Sequence, residues 1–107
     1  MFRISTIDRE SQRQLVLEGQ LIAPCTDALR NAYRTAKTNL NGRELVIDVD
    51  GVTAISNEGE ETLFELMAEG ARFLHGGTLT RHILKQLARR LHRNGPHSNQ
   101  AGQENRK

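Results

Sequence analysis

Residues 44–59 read ELVIDVDGVTAISNEG, and the type of fold can be argued outward from this stretch. Its first part, Glu44–Val49, places apolar residues on both faces of an extended chain. That pattern is typical of a central strand that helices cover on at least one side. The pair Asp50-Gly51 is expected to break the strand. Val52–Ile55 then leads into a loop at Ser56-Asn57, where a helix is expected to begin.

Acidic side chains mark the start of this second predicted helix. Its first turn contains Glu58, Glu60 and Glu61. The partial positive charge at a helix N-terminus favours carboxylates there. Ser56 or Asn57 can cap the helix, Asn57 with the capping-box spacing to Glu60, and Gly70 can end it. The buried stripe is expected to contain Leu63, Phe64, Met67 and Ala68.

The residues before position 44 predict two strands and a helix. Apolar and polar side chains alternate over residues 2–6, and Gln14–Gln20 contains a second apolar run. A short polar turn at 8–12 would join the two strands as an antiparallel pair. Thr26 is expected to cap a helix that stops at Asn39–Gly42. Apolar residues recur along this helix at spacings of three and four: Leu29, Ala32, Tyr33, Ala36 and Leu40.

The residues after Gly70 predict a short strand and a basic helix. Arg72–His75 is a candidate strand, Gly76-Gly77 a turn, and Thr78 a cap for the last helix. The buried face of this helix is expected to contain Leu79, Ile83, Leu84, Leu87, Ala88 and Leu91. Its opposite face carries Arg81, Lys85, Arg89 and Arg90. No acidic residue lies between Thr78 and Leu91, so the basic helix contrasts with the acidic second helix.

The predicted order of elements is β-β-α-β-α-β-α. Strands separated by helices imply parallel crossovers, and the opening hairpin adds one antiparallel pair. We therefore predict a small α/β domain with a mixed four-stranded sheet and three helices over residues 1–92. Residues 93–107 contain a single hydrophobic residue, Ala101, and are predicted to form a disordered polar tail.

Composition excludes several classes of protein. The chain has 107 residues and a formal net charge of +2, which does not indicate a protein that coats nucleic acid. No apolar run approaches the roughly 20 residues of a membrane helix, and the first eight residues lack a signal-peptide stretch. The cytoplasm is therefore the expected location. The one cysteine, Cys25, rules out an internal disulfide framework and a multi-cysteine zinc site.

The remaining candidates for chemistry have simpler structural explanations. Cys25 lies near a helix start, where a thiolate is favoured, but a partly buried thiol is the default. Asp48 and Asp50 could ligate magnesium or act as an acid–base pair, but no phosphate loop or nucleophile–base pair accompanies them. Metal-ligand spacing is absent from the four histidines, His75, His82, His92 and His97. We therefore expect no enzymatic activity, no cofactor and no metal.

The loop Ile55–Gly59 is the strongest candidate for a functional site. It joins the end of a buried strand to a helix N-terminus. Open α/β sheets place ligands at that position, and the free N–H groups of a helix start attract anions. The simpler interpretation is that Ser56 or Asn57 only caps the helix. The two roles are compatible.

Three stretches together resemble a known family. They are LVLEGQL at 15–21, the helix around Ala28 and Leu29, and ELVIDVDGV at 44–52, which is similar to the family strand vvlDlsgV. The sequence resembles the STAS domain (sulphate transporter and anti-sigma factor antagonist) over about residues 10–90, in particular the small bacterial anti-anti-sigma type. Ile55–Gly59 occupies the place of the family loop I/F-D-S-S/T-G.

The resemblance implies a regulatory protein–protein interaction. In that family the first serine after the aspartate accepts phosphate from an anti-sigma kinase, and the added charge breaks the partner complex. Here Ser56 stands at the aspartate position, Asn57 at the acceptor position and Glu58 at the second serine or threonine, so only Gly59 matches. Asn57 has no hydroxyl, and we therefore expect serine phosphoswitching to be lost.

The leading hypothesis is a non-enzymatic module that binds a partner protein, an anti-sigma factor or kinase-like regulator. The predicted partner-binding residues are Ser56, Asn57, Glu58, Gly59 and Glu61, with the exposed face of the second helix. One alternative is a phosphoregulated antagonist whose phosphoacceptor is Ser56. Another is nucleic-acid binding through the basic last helix, which is less favoured because no aromatic residues interleave with the charges. The oligomeric state stays open.

Overall fold

The computed structural model describes residues 1–74 and 77–94 of the chain. The strands are β1 (Phe2–Asp8), β2 (Gln12–Leu21), β3 (Glu44–Ile55) and β4 (Arg72–Leu74). The helices are α1 (Cys25–Ala36), α2 (Asn57–Ala68) and α3 (Thr78–Asn94). The order β-β-α-β-α-β-α is the predicted one, and the predicted fold class is confirmed.

The strands form one mixed sheet in the order β1-β2-β3-β4. β1 and β2 make an antiparallel hairpin in which Ile4 is opposite Leu17. The other two pairings are parallel, with Leu15 opposite Ile47 and Ile47 opposite Phe73. Parallel neighbours need a crossover between them, and α1 and α2 supply the two crossovers.

One face of the sheet packs against all three helices. Side chains alternate along a strand, so Leu15 and its register partner Ile47 point to the same face, and both are buried. The same core includes residues from each helix: Leu29, Tyr33 and Ala36 of α1, Leu63 and Leu66 of α2, and Ile83, Leu84 and Leu87 of α3. The opposite face carries polar cross-strand contacts such as the ion pair of Arg3 with Glu18.

β3 is longer than the sequence predicted. It does not end at Asp50 and Gly51 but continues through them as a strand. The register shows how: Val16 of β2 pairs with Asp48, whereas Glu18, two residues later, pairs with Gly51. One extra residue of β3 is therefore accommodated as a β-bulge, which lets the strand bend and still keep its partner.

The ends of α1 also differ from the prediction. Thr26 does not cap the helix but is buried within its first turn. Pro24 takes the cap position and makes no side-chain hydrogen bond to the helix. The helix ends at Ala36, so Leu40, which was expected in its buried stripe, lies beyond it.

The buried stripe of α3 begins one residue later than predicted. Leu79 is 44% exposed, and Thr80 is buried in its place. Burial of the residues that follow agrees with the prediction for Ile83, Leu84 and Leu87. Thr80, Leu84 and Leu87 have the i, i+4, i+7 spacing of one helix face, which accounts for the shift.

The last helix continues past the predicted domain boundary at residue 92. Arg93 and Asn94 belong to α3. The rest of the predicted tail lies outside the described residues, as do His75 of the predicted strand and Gly76 of the predicted turn. Among the described residues, no helix combines the length and hydropathy needed to cross a membrane.

Candidate functional site

The loop between β3 and α2 lies at the carboxyl end of two parallel strands. Leu21, the last residue of β2, is the register partner of Ile55, the last residue of β3. The N–H of Ser56 extends this pairing by donating to the carbonyl oxygen of Leu21 at 3.1 Å. The loops that follow β2 and β3 are therefore brought to one edge of the sheet. Binding sites of α/β folds form at this edge.

Ser56 is the N-cap of α2. Its backbone is extended, and its Oγ accepts a hydrogen bond from the N–H of Gly59 at 3.1 Å. The hydroxyl also donates to the Leu21 carbonyl oxygen at 3.5 Å, and Ser56 is only partly exposed. The predicted capping role of this loop is confirmed, and it belongs to Ser56 rather than to Asn57.

Gly59 determines how closely α2 approaches the end of β2. It is buried, and a Cβ built on it would lie within 3.0 Å of both the Leu21 carbonyl oxygen and Ile55 Cγ2, a distance that Cβ contacts essentially never show. The carbonyl oxygen of Leu21 also accepts the hydrogen bond of the Ser56 N–H, so it cannot move without disturbing the loop. Gly59 thus supports the site and presents no side chain to a partner.

The exposed side chains at this edge include Asn57, Glu58 and Ile22, and we call these three residues the loop surface. Asn57 and Glu58 occupy the first turn of α2. Ile22 directly follows Leu21 and is 39% exposed. The sequence did not point to Ile22, because a single apolar residue between a strand and a helix produces no periodic signal. The position of Ile22 near the start of α2 follows from the β2–β3 register, in which Leu21 pairs with Ile55.

Glu61 belongs to the predicted site but is engaged within the molecule. Its two carboxylate oxygens accept hydrogen bonds from Arg90 of α3 at 2.6 and 3.1 Å. The guanidinium of Arg90 also lies 4.1 Å from the centroid of the Phe64 ring. The hydrogen bond from Arg90 lowers the pKa of Glu61 from its ordinary value. A partner that binds Glu61 must compete with Arg90 for the carboxylate.

A second basic residue holds α2 from the side of α1. Arg30 donates to both carboxylate oxygens of Glu65, at 2.9 and 3.0 Å, and to Asp27 at 3.0 Å. The hydrogen bond from Arg30 lowers the pKa of Glu65. Glu58 differs from these residues because it is exposed and makes no ion pair with any of the described side chains.

The sequence matches none of the protein-family models and none of the curated proteins with which it was compared. Solved structures show its architecture. An uncharacterized protein of the DUF3478 family with a SpoIIAA-like fold, from Shewanella loihica, aligns over 99% of this chain and 85% of its own, with a TM-score of 0.53 and 11% identity. The chain has a SpoIIAA-like fold. A structure described as Mglu aligns with a TM-score of 0.53 and 19% identity over 68% of this chain, which corresponds to 19% of that protein.

The SpoIIAA-like fold is the STAS-like architecture that the sequence resemblance implied, so this part of the resemblance is confirmed. At sequence identities of 19% and 11%, these two structures are evidence for the fold alone. The sequence resemblance places the family phosphoacceptor at Asn57, which is exposed, and the preceding family position at Ser56, which caps α2. Partner binding and phosphorylation at the loop stay predictions.

The other residues that the sequence analysis considered for chemistry lie outside the loop between β3 and α2. Asp48 was expected at a strand end but lies inside β3, beside the bulge, where its Oδ1 accepts a hydrogen bond from the Asp50 N–H at 2.9 Å. Cys25 is a free, half-buried thiol at the first position of α1. Within residues 1–74 and 77–94, no three His, Cys, Asp or Glu side chains cluster as metal ligands. His82 and His92 are exposed on α3, and His75 and His97 lie outside the described residues.

The predicted basic face of α3 divides into two parts. Arg90 turns toward α2 and pairs with Glu61. Arg81, Lys85 and Arg89 are exposed, and no ion pair joins them to the rest of the described chain. Among the described residues, one ion pair therefore joins the acidic and basic helices that the sequence distinguished, and the other three cations of the predicted basic face are exposed to solvent.

Proposed function

We propose that this chain is a non-enzymatic regulatory module that binds a partner protein through the loop surface and works without a serine phosphoswitch. The SpoIIAA-like fold supports a binding role, and the loop surface lies where such sheets place their sites. The observation that carries the loss of the switch is the use of the Ser56 hydroxyl as the cap of α2, beside an exposed Asn57 that has no hydroxyl.

The chemistry of the loop surface indicates what kind of partner fits. Ile22 supplies exposed apolar area, and Asn57 supplies amide donors and acceptors around it. Glu58 adds a permanent negative charge in the same turn of α2. A complementary partner surface therefore combines an apolar contact with Arg or Lys side chains. In this scheme Glu58 gives the loop a constant charge where the family uses a reversible phosphate.

Binding at the loop surface can be tested with matched charge and apolar variants. A partner captured from the native cell with the full chain is purified and titrated against Ile22→Asp and Glu58→Lys. We expect each variant to lose about tenfold in affinity, because a central apolar contact or a complementary charge is removed. Glu10→Lys, an exposed reversal in the β1–β2 turn, is the control and should bind normally. Equal binding of all three variants would place the interface elsewhere.

Loss of the phosphoswitch has its own test. The wild-type chain, Ser56→Ala and Asn57→Ser are incubated with candidate anti-sigma kinases and analysed by mass spectrometry. We expect no phosphate on the wild-type chain or on Ser56→Ala, because the Ser56 hydroxyl of the wild-type chain is bonded to Gly59 and Leu21. Asn57→Ser restores an exposed hydroxyl at the acceptor position and should accept phosphate there. Wild-type modification that Ser56→Ala abolishes would instead support the phosphoregulated alternative.

A further inference from the structure

A groove lies between α2, β4 and α3, at the opposite end of α2 from the loop surface. Its volume is about 410 Å³, and it is open to solvent along one side. Its lining residues are Met67, Phe73, Arg81, Leu84, Lys85 and Ala88. Four of the six side chains are apolar, and Arg81 and Lys85 are cationic. Met67 is eleven residues from Ser56, which in a helix corresponds to about 16 Å.

The cations of the groove are available for an external anion. Arg81 and Lys85 are one helical turn apart, exposed, and not ion-paired to any described residue. By contrast, Arg30 and Arg90 each bind a carboxylate of α2. The first turn of α3 contains no acidic residue, so the positive end of the helix dipole adds to the charge of Arg81.

The tail of this chain does not suit the groove. Residues 95–107 include one hydrophobic residue, Ala101, whereas apolar walls need apolar side chains. Arg106 and Lys107 outnumber Glu104, so the tail has the same sign of charge as the groove. A small anionic amphiphile is also disfavoured, because sites for such ligands bury most of the ligand surface and this groove is open on one side.

We propose that the groove binds an acidic amphipathic helix of a partner protein. Apolar side chains on one face of that helix would lie against the half-buried Met67 and Phe73, and flanking Asp or Glu side chains would pair with Arg81 and Lys85. The contact between Arg90 and α2 shows the same combination of carboxylate and apolar neighbour within this molecule. This surface is separate from the loop surface and does not depend on the function proposed for it.

The probe for the test is a synthetic helical peptide with Leu at positions i, i+3, i+4 and i+7 and Glu on both flanks. A peptide of the same composition in scrambled order is the comparison. Both are titrated into the full ¹⁵N-labelled chain and followed by NMR. We expect the patterned peptide to bind at least about fivefold more tightly, to weaken with added salt, and to shift the amides of Phe73, Leu84 and Ala88.

Charge-reversal variants distinguish peptide binding in this groove from general attraction of the peptide to a basic helix. Lys85→Glu should weaken binding of the patterned peptide about fivefold, because an attractive contact becomes repulsive. Arg89→Glu reverses a charge on the same helix outside the groove and should change the affinity less than about twofold. A peptide with Lys in place of Glu should regain affinity for the double variant Arg81→Glu/Lys85→Glu.

Four results would overturn the proposal. They are equal binding of the scrambled peptide, equal effects of the two single reversals, amide shifts at the loop surface instead of the groove, and no detectable peptide binding. A further experiment addresses the other occupant: decanoate is titrated into the same chain. Binding of decanoate that shifts the groove amides more strongly than the peptide would assign the groove to a small amphiphile.

Discussion

The two ends of α2 meet the rest of the molecule in different ways. At its N-terminal end the backbone is in direct contact with β2, since Gly59 lies against the carbonyl oxygen of Leu21 and Ser56 bonds to the same strand end. At its C-terminal end the side chains of Met67 and Phe73 leave an open groove. At the N-terminal end, the stability of the fold should therefore tolerate changes of exposed side chains but not a larger side chain at Gly59. At the C-terminal end, the molecule should respond mainly to changes of charge and polarity in the groove.

The largest expected effect is that of Gly59→Ala. The new Cβ would press on a backbone carbonyl that is already hydrogen-bonded, and overpacking of this kind costs about 1–3 kcal/mol. The better helix propensity of alanine offsets about 1 kcal/mol of this cost. Because the contact is with backbone that cannot move aside, we expect the steric cost to lie at the upper end of this range and the free energy of unfolding to fall by about 2 kcal/mol, measured by urea denaturation.

Gly70→Ala is the matched control at the other end of the helix. Gly70 has a φ of 100°, but among the described residues beyond its immediate chain neighbours no atom lies within 4 Å of the position of a Cβ. Its replacement should cost only the backbone strain of about 1 kcal/mol. If Gly70→Ala destabilised the protein more than Gly59→Ala, the proposed difference between the two ends of α2 would be wrong.

Gly59 also shows what could be predicted from the sequence. The alternation of apolar residues and the helical spacings predicted the order of elements and the mixed sheet, because these patterns are local. The steric role of Gly59 depends on Leu21, which lies far away in the chain and is brought close by the β2–β3 register. The continuation of β3 past Asp50 and Gly51 depends on the same register, and local residue preferences predicted a break.

The charge of each helix could be predicted from the sequence, but the residues that pair between helices could not. The sequence distinguished an acidic helix from a basic one, and the structure pairs Glu61 with Arg90. The second partner of α2, Arg30 of α1, had no such signal, because α1 carries charges of both signs. The groove was not predictable either, since Met67 and Phe73 come together with α3 only through packing of three elements.

A moderate effect is expected at the cap. Ser56→Ala removes the acceptor of the Gly59 N–H and should lower the free energy of unfolding by about 1 kcal/mol. Ser56→Asp keeps an acceptor oxygen at the N-cap and should restore most of the stability, measured by the same denaturation. Asn57→Ala changes an exposed neighbour and should have little effect. If Asn57→Ala lowered the free energy of unfolding as much as Ser56→Ala, Asn57 rather than Ser56 would be the cap.

The smallest expected effect concerns the ion pairs that hold α2 between its two ends. The folded-state pKa values of Glu61 and Glu65 are lowered by hydrogen bonds from Arg90 and Arg30. A carboxylate with a lowered pKa contributes stability above its unfolded pKa, about 4.3 for glutamate. That contribution is lost as the pH falls through the folded pKa. Loss of these two ion pairs should therefore destabilise the fold only at acidic pH.

Below about pH 5, where the two glutamates begin to take up protons, the urea midpoint of the double variant Arg30→Gln/Arg90→Gln should therefore fall less steeply with decreasing pH than that of the wild-type chain, at fixed ionic strength. A residual decline is expected from Asp8, whose pKa is lowered by the hydrogen bond from Arg13. Arg81→Gln/Arg89→Gln removes the same amount of charge from exposed positions of α3 and should keep the wild-type slope. The difference should be small and should shrink with salt, because exposed ion pairs are screened. If both double variants flattened the profile equally, net charge rather than the two ion pairs of α2 would control the acid response.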